Sequence, residues 1–166
     1  MFSIGEKIVY PMHGAGFIEN IENRTVGGAQ ADYYAIHIYS GNIKLSLPTQ
    51  SKAEVTLRKI SDRSAAENVL LFLEQAPLPQ DTPWNKRYKE NMALLKKGDL
   101  QSVATVVKSL MLRDHTHGLS TGDRKMLILS RNILFSELCL ILEINEATLA
   151  EMVFQKIQAI TQGEAL

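Results

Sequence analysis

The chain has 166 residues, 45% apolar and 22% charged, which excludes a disordered polypeptide and fits one globular domain or two small ones. It has no run of about 18 apolar residues to cross a membrane, and its start lacks the charged-then-apolar pattern of a secretory leader. Cys139 is the only cysteine, so no internal disulfide forms and a reducing cytoplasm is expected. It lies in an apolar run and reads as a small buried residue.

The net charge is zero, but the charges are segregated. Residues 84–131 carry ten cations and four anions, whereas 132–166 carry one cation and five anions. A neutral chain with one strongly basic third is built to turn that third toward something negative.

The first 60 residues read as short strands over 6–10, 16–22, 33–39, 43–47 and 54–59, rich in β-branched and aromatic residues. Turn signals separate them at 11–14, Gly27-Gly28, 40–42 and Pro48-Thr49. Five short strands so closely connected cannot cover two faces of an open sheet, so a small, curved, Tudor-like barrel is expected. Its glycines 14 and 16 read as backbone permissiveness at a tight turn. A strand rather than a helix follows them, which argues against a phosphate loop.

From Asp62 the periodicity becomes helical. Ser64 and Glu67 have capping-box spacing, and Val69, Leu70, Phe72 and Leu73 form a stripe. Residues 76–83 contain three prolines and read as a stiff connection that no helix crosses. We place the domain boundary at 60/61, with the proline-rich connection 77–83 inside the second domain. Thr82 is the expected N-cap and Pro83 the expected first residue of a helix to Lys97, stopped by Gly98. Trp84, the only tryptophan, stands at its start with Lys86, Arg87 and Lys89 close behind. Trp84, Tyr88, Met92 and Leu95 share one face by spacing.

Asp99 is expected to cap the next helix, which ends in the loop 114–118. Ser120 opens a long helix to about 143, apolar nearly all round at 133–142, where Arg124 and Arg131 share a face beside Lys125. Asn145 caps a last helix carrying Leu149, Met152, Val153, Ile157 and Ile160. The fold class is thus α+β: a five-stranded barrel over 1–60, then a bundle of about five helices over 61–166.

His115 and His117 alternate in a loop, but no metal-ligand spacing accompanies them, so neither metal nor cofactor is expected. No nucleophile, base and orienter assemble, and catalysis is not expected. A basic third with a tryptophan at its edge suits nucleic acid. A protein–protein adaptor with a merely solvated basic face is the alternative, and steep salt dependence would separate the two.

The opening Phe2-Ser3-Ile4-Gly5-Glu6-Lys7-Ile8-Val9-Tyr10-Pro11-Met12-His13-Gly14-Ala15-Gly16 resembles the start of the CarD/CdnL family of bacterial transcription regulators, and the module that transcription-repair coupling factors share with it. Ile21-Glu22-Asn23-Arg24-Thr25, Leu45-Ser46-Leu47-Pro48, Trp84-Asn85-Lys86-Arg87-Tyr88-Lys89 and Leu119-Ser120-Thr121-Gly122-Asp123-Arg124-Lys125-Met126-Leu127 continue the resemblance in order. It implies a barrel that binds the β subunit of RNA polymerase through Arg24 and the strand carrying Ile43, Leu45, Ser46 and Leu47. Ser46 departs from relatives with arginine there. It also implies a helical domain on promoter DNA at the upstream edge of the melted bubble, with Trp84 wedged in the minor groove. Arg87, Lys89, Arg124 and Lys125 would touch phosphates there, and Lys86 and Arg131 extend the same basic surface. A monomer in the bacterial cytoplasm, associated with the nucleoid, with its indole exposed and its base packed, is expected.

Overall fold

The computed structural model describes residues 1–51, 56–75 and 82–163. Strands β1 (Lys7–Tyr10), β2 (Gly14–Val26), β3 (Ala29–Ile38), β4 (Ile43–Pro48) and β5 (Arg58–Lys59) precede five helices. These are α1 (Arg63–Glu74), α2 (Trp84–Lys97), α3 (Leu100–Thr116), α4 (Thr121–Leu142) and α5 (Glu146–Gly163). The α+β architecture is the one the sequence predicts. The beginning of the strand expected over 54–59, and most of the proline-rich connection, lie outside the described residues.

The strands form one antiparallel sheet in the order β4-β3-β2-β1-β5, open between β4 and β5 among the described residues. Its concave side holds Ile8, Ile18, Tyr34, Ile36, Ile38 and Leu57, with Phe2, Ile21, Leu45 and Leu47 packed around them. A register shift between Ile18 and Asn20 bends β2. Beyond it the β2–β3 hairpin runs further than alternation suggests, to a two-residue turn at Gly27 and Gly28, both at positive φ. Residues 23–32 are exposed on both faces, so no buried stripe at every second position marks them. Gly16 is required by close approach: a Cβ there would sit 1.9 Å from the carbonyl oxygen of His37. Gly14, at φ +112°, would meet the Ser136 hydroxyl at 2.8 Å. That turn is therefore shaped by contact with a helix as well as by local freedom.

The helices bury a second, larger core around Leu95, Val106, Leu110, Leu134, Leu138, Leu149 and Val153. Caps follow local chemistry with two differences from expectation. The α1 cap is Asp62, whose carboxylate accepts from the Ala65 amide at 2.8 Å. Glu67 in the supposed capping box pairs instead with Arg63, one turn back. In α2 the cap position falls on Pro83, not Thr82, and no side chain among the described residues satisfies the first turn. Asp99, Ser120 and Asn145 cap α3, α4 and α5 as predicted. Helix α3 continues through His115 to Thr116, closing with a bond from the His117 amide to the Arg113 carbonyl.

Sheet and helices meet on α4. The Ser136 hydroxyl accepts from the Ala15 amide at 2.8 Å and donates to the Ile133 carbonyl at 2.7 Å. The Glu137 carboxylate, buried in α4, takes both terminal nitrogens of Arg58 from β5 at 2.8 and 2.7 Å, and the Ser61 amide at 2.9 Å. Arg58 also donates to the Gly98 carbonyl beyond α2. The 133–142 run is thus apolar except where it faces the sheet.

Candidate nucleic-acid interface and strand edge

The first turns of α2 and α4 lie side by side, which the chain order alone does not reveal. Trp84 is 44% exposed. Its ring stacks on Tyr88 one turn later, centroids 5.3 Å apart and planes 29° apart. Its Nε1 donates to the Ser120 hydroxyl at 3.2 Å. Gly122 lies under the ring: a Cβ there would stand 3.4 Å from Trp84 Cζ2. The indole is therefore packed against Tyr88 and Gly122 and still substantially exposed, as its place in the first turn predicts.

Arg87 turns inward. Its Nη2 donates to Asp123 Oδ2 at 3.1 Å and its Nη1 to the Thr82 carbonyl at 3.1 Å. The side chains of Arg87 and Asp123 are 13% and 1% exposed. The phosphate contact expected of Arg87 is thus occupied by an internal ion pair. Lys89, Arg124 and Lys125 are exposed and make no ion pair among the described residues. Lys86 has only a loose surface contact with Glu90 at 3.9 Å, which holds it weakly. Arg131, two turns further along α4, lies over the Phe135 ring at 5.0 Å. Trp84, Lys86, Lys89, Arg124 and Lys125 gather at the paired helix starts, and Arg131 stands farther down.

The start of α2, without a side-chain cap among the described residues, sharpens the electrostatics. Its first turn holds no acid, and its free backbone N–H groups carry the positive end of the helix dipole. Cations there are locally unfavourable and would gain from an anion. Ser120, Gly122 and Asp123 belong to this site; the sequence marks them as the opening of a helix and part of a motif of the family resemblance, without assigning them a role. The available signal was one acid beside Arg124 in the basic third.

At the other end of the molecule, β4 is an edge strand without an outer partner among the described residues. Ile43 is largely exposed and Ser46 faces solvent, while Leu45 and Leu47 pack against the sheet core. What β4 offers is mainly its backbone. Arg24, near the tip of β2, pairs with Glu22 at 2.6 Å and lies near the Tyr33 ring at 5.8 Å. Among the described residues no three His, Cys, Asp or Glu side chains gather as metal ligands. No described helix is long and apolar enough to cross a membrane.

Both parts of the chain match known families. Residues 2–61 match the CarD-like/TRCF RID domain, and residues 68–154 match the CarD C-terminal domain. A curved sheet and a helical bundle matched in this order define a CarD-type transcription regulator, and the chain belongs to the CarD/CdnL family. It is 35% identical over 146 residues to "Putative transcription factor YdeB" of Bacillus subtilis (strain 168), covering 88% of this chain and 95% of that protein.

Proposed function

We propose that this regulator binds the β subunit of RNA polymerase through β4 and stabilises the promoter open complex by contacting DNA at the upstream edge of the bubble. The observation that carries the reading is the half-exposed, braced indole of Trp84 among the unpaired cations of two adjoining helix starts. A ring wedged between base steps costs a few kcal/mol of unstacking in an intact duplex. At a melted fork much of that cost is already met, so the ring binds the open state better than the closed one. Only such a difference in affinity shifts the equilibrium. Lys86, Lys89, Arg124 and Lys125 supply phosphate contacts, with Arg131 farther along. Arg87 acts from behind, through Asp123.

The β4 edge suits addition of a partner strand, in which main-chain hydrogen bonds supply affinity without a particular side chain at Ser46. Arg24 exchanges its exposed partner Glu22 for an acid of the polymerase at little cost, because surface pairs contribute only about 0–1 kcal/mol. The protein acts as a non-enzymatic monomer in the bacterial cytoplasm, held at the nucleoid through polymerase. Tethering raises the local concentration of its helical part at the promoter, so weak intrinsic DNA affinity suffices.

Open-complex lifetime on a promoter limited by melting tests the wedge. Trp84→Ala should shorten it by about tenfold or more, the equivalent of ~1.4 kcal/mol of lost stacking. Equal lifetimes overturn the wedge. Arg24→Glu should abolish capture of a polymerase β fragment with an unchanged circular dichroism spectrum; retained capture moves the interface elsewhere.

A further inference from the structure

We infer that the first turn of α4 is a socket that positions the indole, with Ser120 and Gly122 holding the ring and Asp123 acting as a positioning residue through Arg87. The inference rests on reading Trp84 as the group that meets DNA. Three observations converge on it.

First, the ring is fixed in two directions. The Nε1–Ser120 bond sets its rotation, while Tyr88 and Gly122 flank it. Gly122 is helical without positive φ, so its backbone does not demand glycine. A larger side chain there would grow toward the ring.

Second, among the described residues α2 has no capping side chain of its own. Its start is held from outside: Asp123 grips Arg87, and Arg87 grips the Thr82 carbonyl just before the helix. Ser120 accepts from both Trp84 Nε1 and the Asp123 amide, so the bond to the ring and the α4 cap share one oxygen.

Third, the ion pair is a poor device for stability alone. Arg87 Nε, Asn91 Nδ2 and Asp123 Oδ1 are buried with no hydrogen-bond partner among the described residues, and each such group is destabilising. A buried pair often contributes no more than apolar residues of the same volume would. What the pair does supply is register, since it allows one placement of the first turn of α2 against α4. The acid at the start of α4 is also directed inward, which leaves Lys89, Arg124 and Lys125 without an ion pair among the described residues and open to phosphate. A wedge must arrive in one orientation, because order lost on binding is subtracted from affinity.

Trp84 is the only tryptophan, so fluorescence reports this site alone. The full chain is compared with Ser120→Gly, Ser120→Thr, Gly122→Leu, Asp123→Asn and Asp123→Glu. Acrylamide quenching, capture of a polymerase β fragment and open-complex lifetime are measured for each. Glycine is well tolerated at a helix N-cap, so Ser120→Gly removes the bond to the ring while largely sparing α4. Ser120→Gly and Gly122→Leu should raise quenching and shorten the lifetime roughly threefold to tenfold, the range of one neutral hydrogen bond. Asp123→Asn should do likewise, polymerase capture should not change, and Ser120→Thr and Asp123→Glu should restore part of both signals. Unchanged quenching in Ser120→Gly and Gly122→Leu overturns the socket. Raised quenching with an unchanged lifetime overturns its role in the wedge, provided Trp84→Ala shortens the lifetime. If Trp84→Ala has no effect, the reading of Trp84 itself has failed, and quenching still decides whether the socket holds the ring.

Discussion

Lys108 shows how a single residue in the bundle carries a cost the sequence does not display. It lies in the middle of α3, buried, with its Nζ donating to the Phe72 carbonyl at 2.7 Å and standing 4.2 Å from the Phe72 ring centre. No acid pairs with it among the described residues. Burial lowers its pKa below the ordinary 10.5. Between the lowered value and 10.5 the unfolded chain holds more protons on this group than the folded one, so stability rises with pH across that window. Below the window the buried ammonium is a fixed penalty. Lys108→Met should abolish this alkaline rise and change stability at neutral pH by no more than about 1.5 kcal/mol. The Phe72 carbonyl keeps its bond from the Gln75 amide. Urea unfolding of both proteins from neutral pH to about pH 10.5 measures the difference, and parallel pH curves would refute it.

At the scale of elements, the helix starts divide into those held by their own caps and the one held from elsewhere. Asp99 accepts the Ser102 amide at 2.8 Å and the Ser102 hydroxyl at 2.6 Å, with Lys97 at 3.6 Å. Burial pushes its pKa up, but the Ser102 bonds and the Lys97 charge outweigh this and hold it below the usual 3.8. Its stabilisation is therefore complete above about pH 4 and lost as pH falls through the depressed value. Asp99→Ala should cost about 1 kcal/mol at neutral pH, and the cost should shrink in acid. Thermal unfolding at neutral and acid pH provides the check. Among the described residues the start of α2 has no such local device, which frees it to present cations and an aromatic ring where a stability-driven helix would place an acid.

For the whole molecule, the decisive contact is the one that makes a sheet and a bundle a single arm. Arg58 and Glu137 are joined by two short bonds, and Arg58 reaches on to the Gly98 carbonyl, so one side chain touches the end of α2 while its partner sits on α4. Removing one member of a buried pair leaves the other uncompensated. Glu137→Ala should destabilise the protein by about 3 kcal/mol, at the lower end of the range for buried pairs because Arg58 keeps some solvent contact. Denaturant unfolding measures that loss. On the proposed function, the same substitution should shorten open-complex lifetime without reducing polymerase capture, since it slackens the link between β4 and Trp84. Lost capture would mean that Glu137 supports the sheet rather than the link.

Local patterns carried much of this protein. Alternation and turn residues marked the strands, the 3.6-residue period marked the helices, and Asp99, Ser120 and Asn145 marked their own caps. The basic third and its tryptophan pointed to the candidate site, and ordered motifs pointed to the family. Nothing local told that Arg87 turns inward, because its partner Asp123 lies 36 residues away and reaches it only once α2 and α4 pack. Nor did the 133–142 run declare Ser136 and Glu137 as the seam with the sheet, since Ala15 and Arg58 come from far earlier in the chain. Composition and periodicity report what each segment does with its near neighbours and with water. Which buried charges meet, and which face of a tryptophan stays open, is decided by distant segments competing for the same surface.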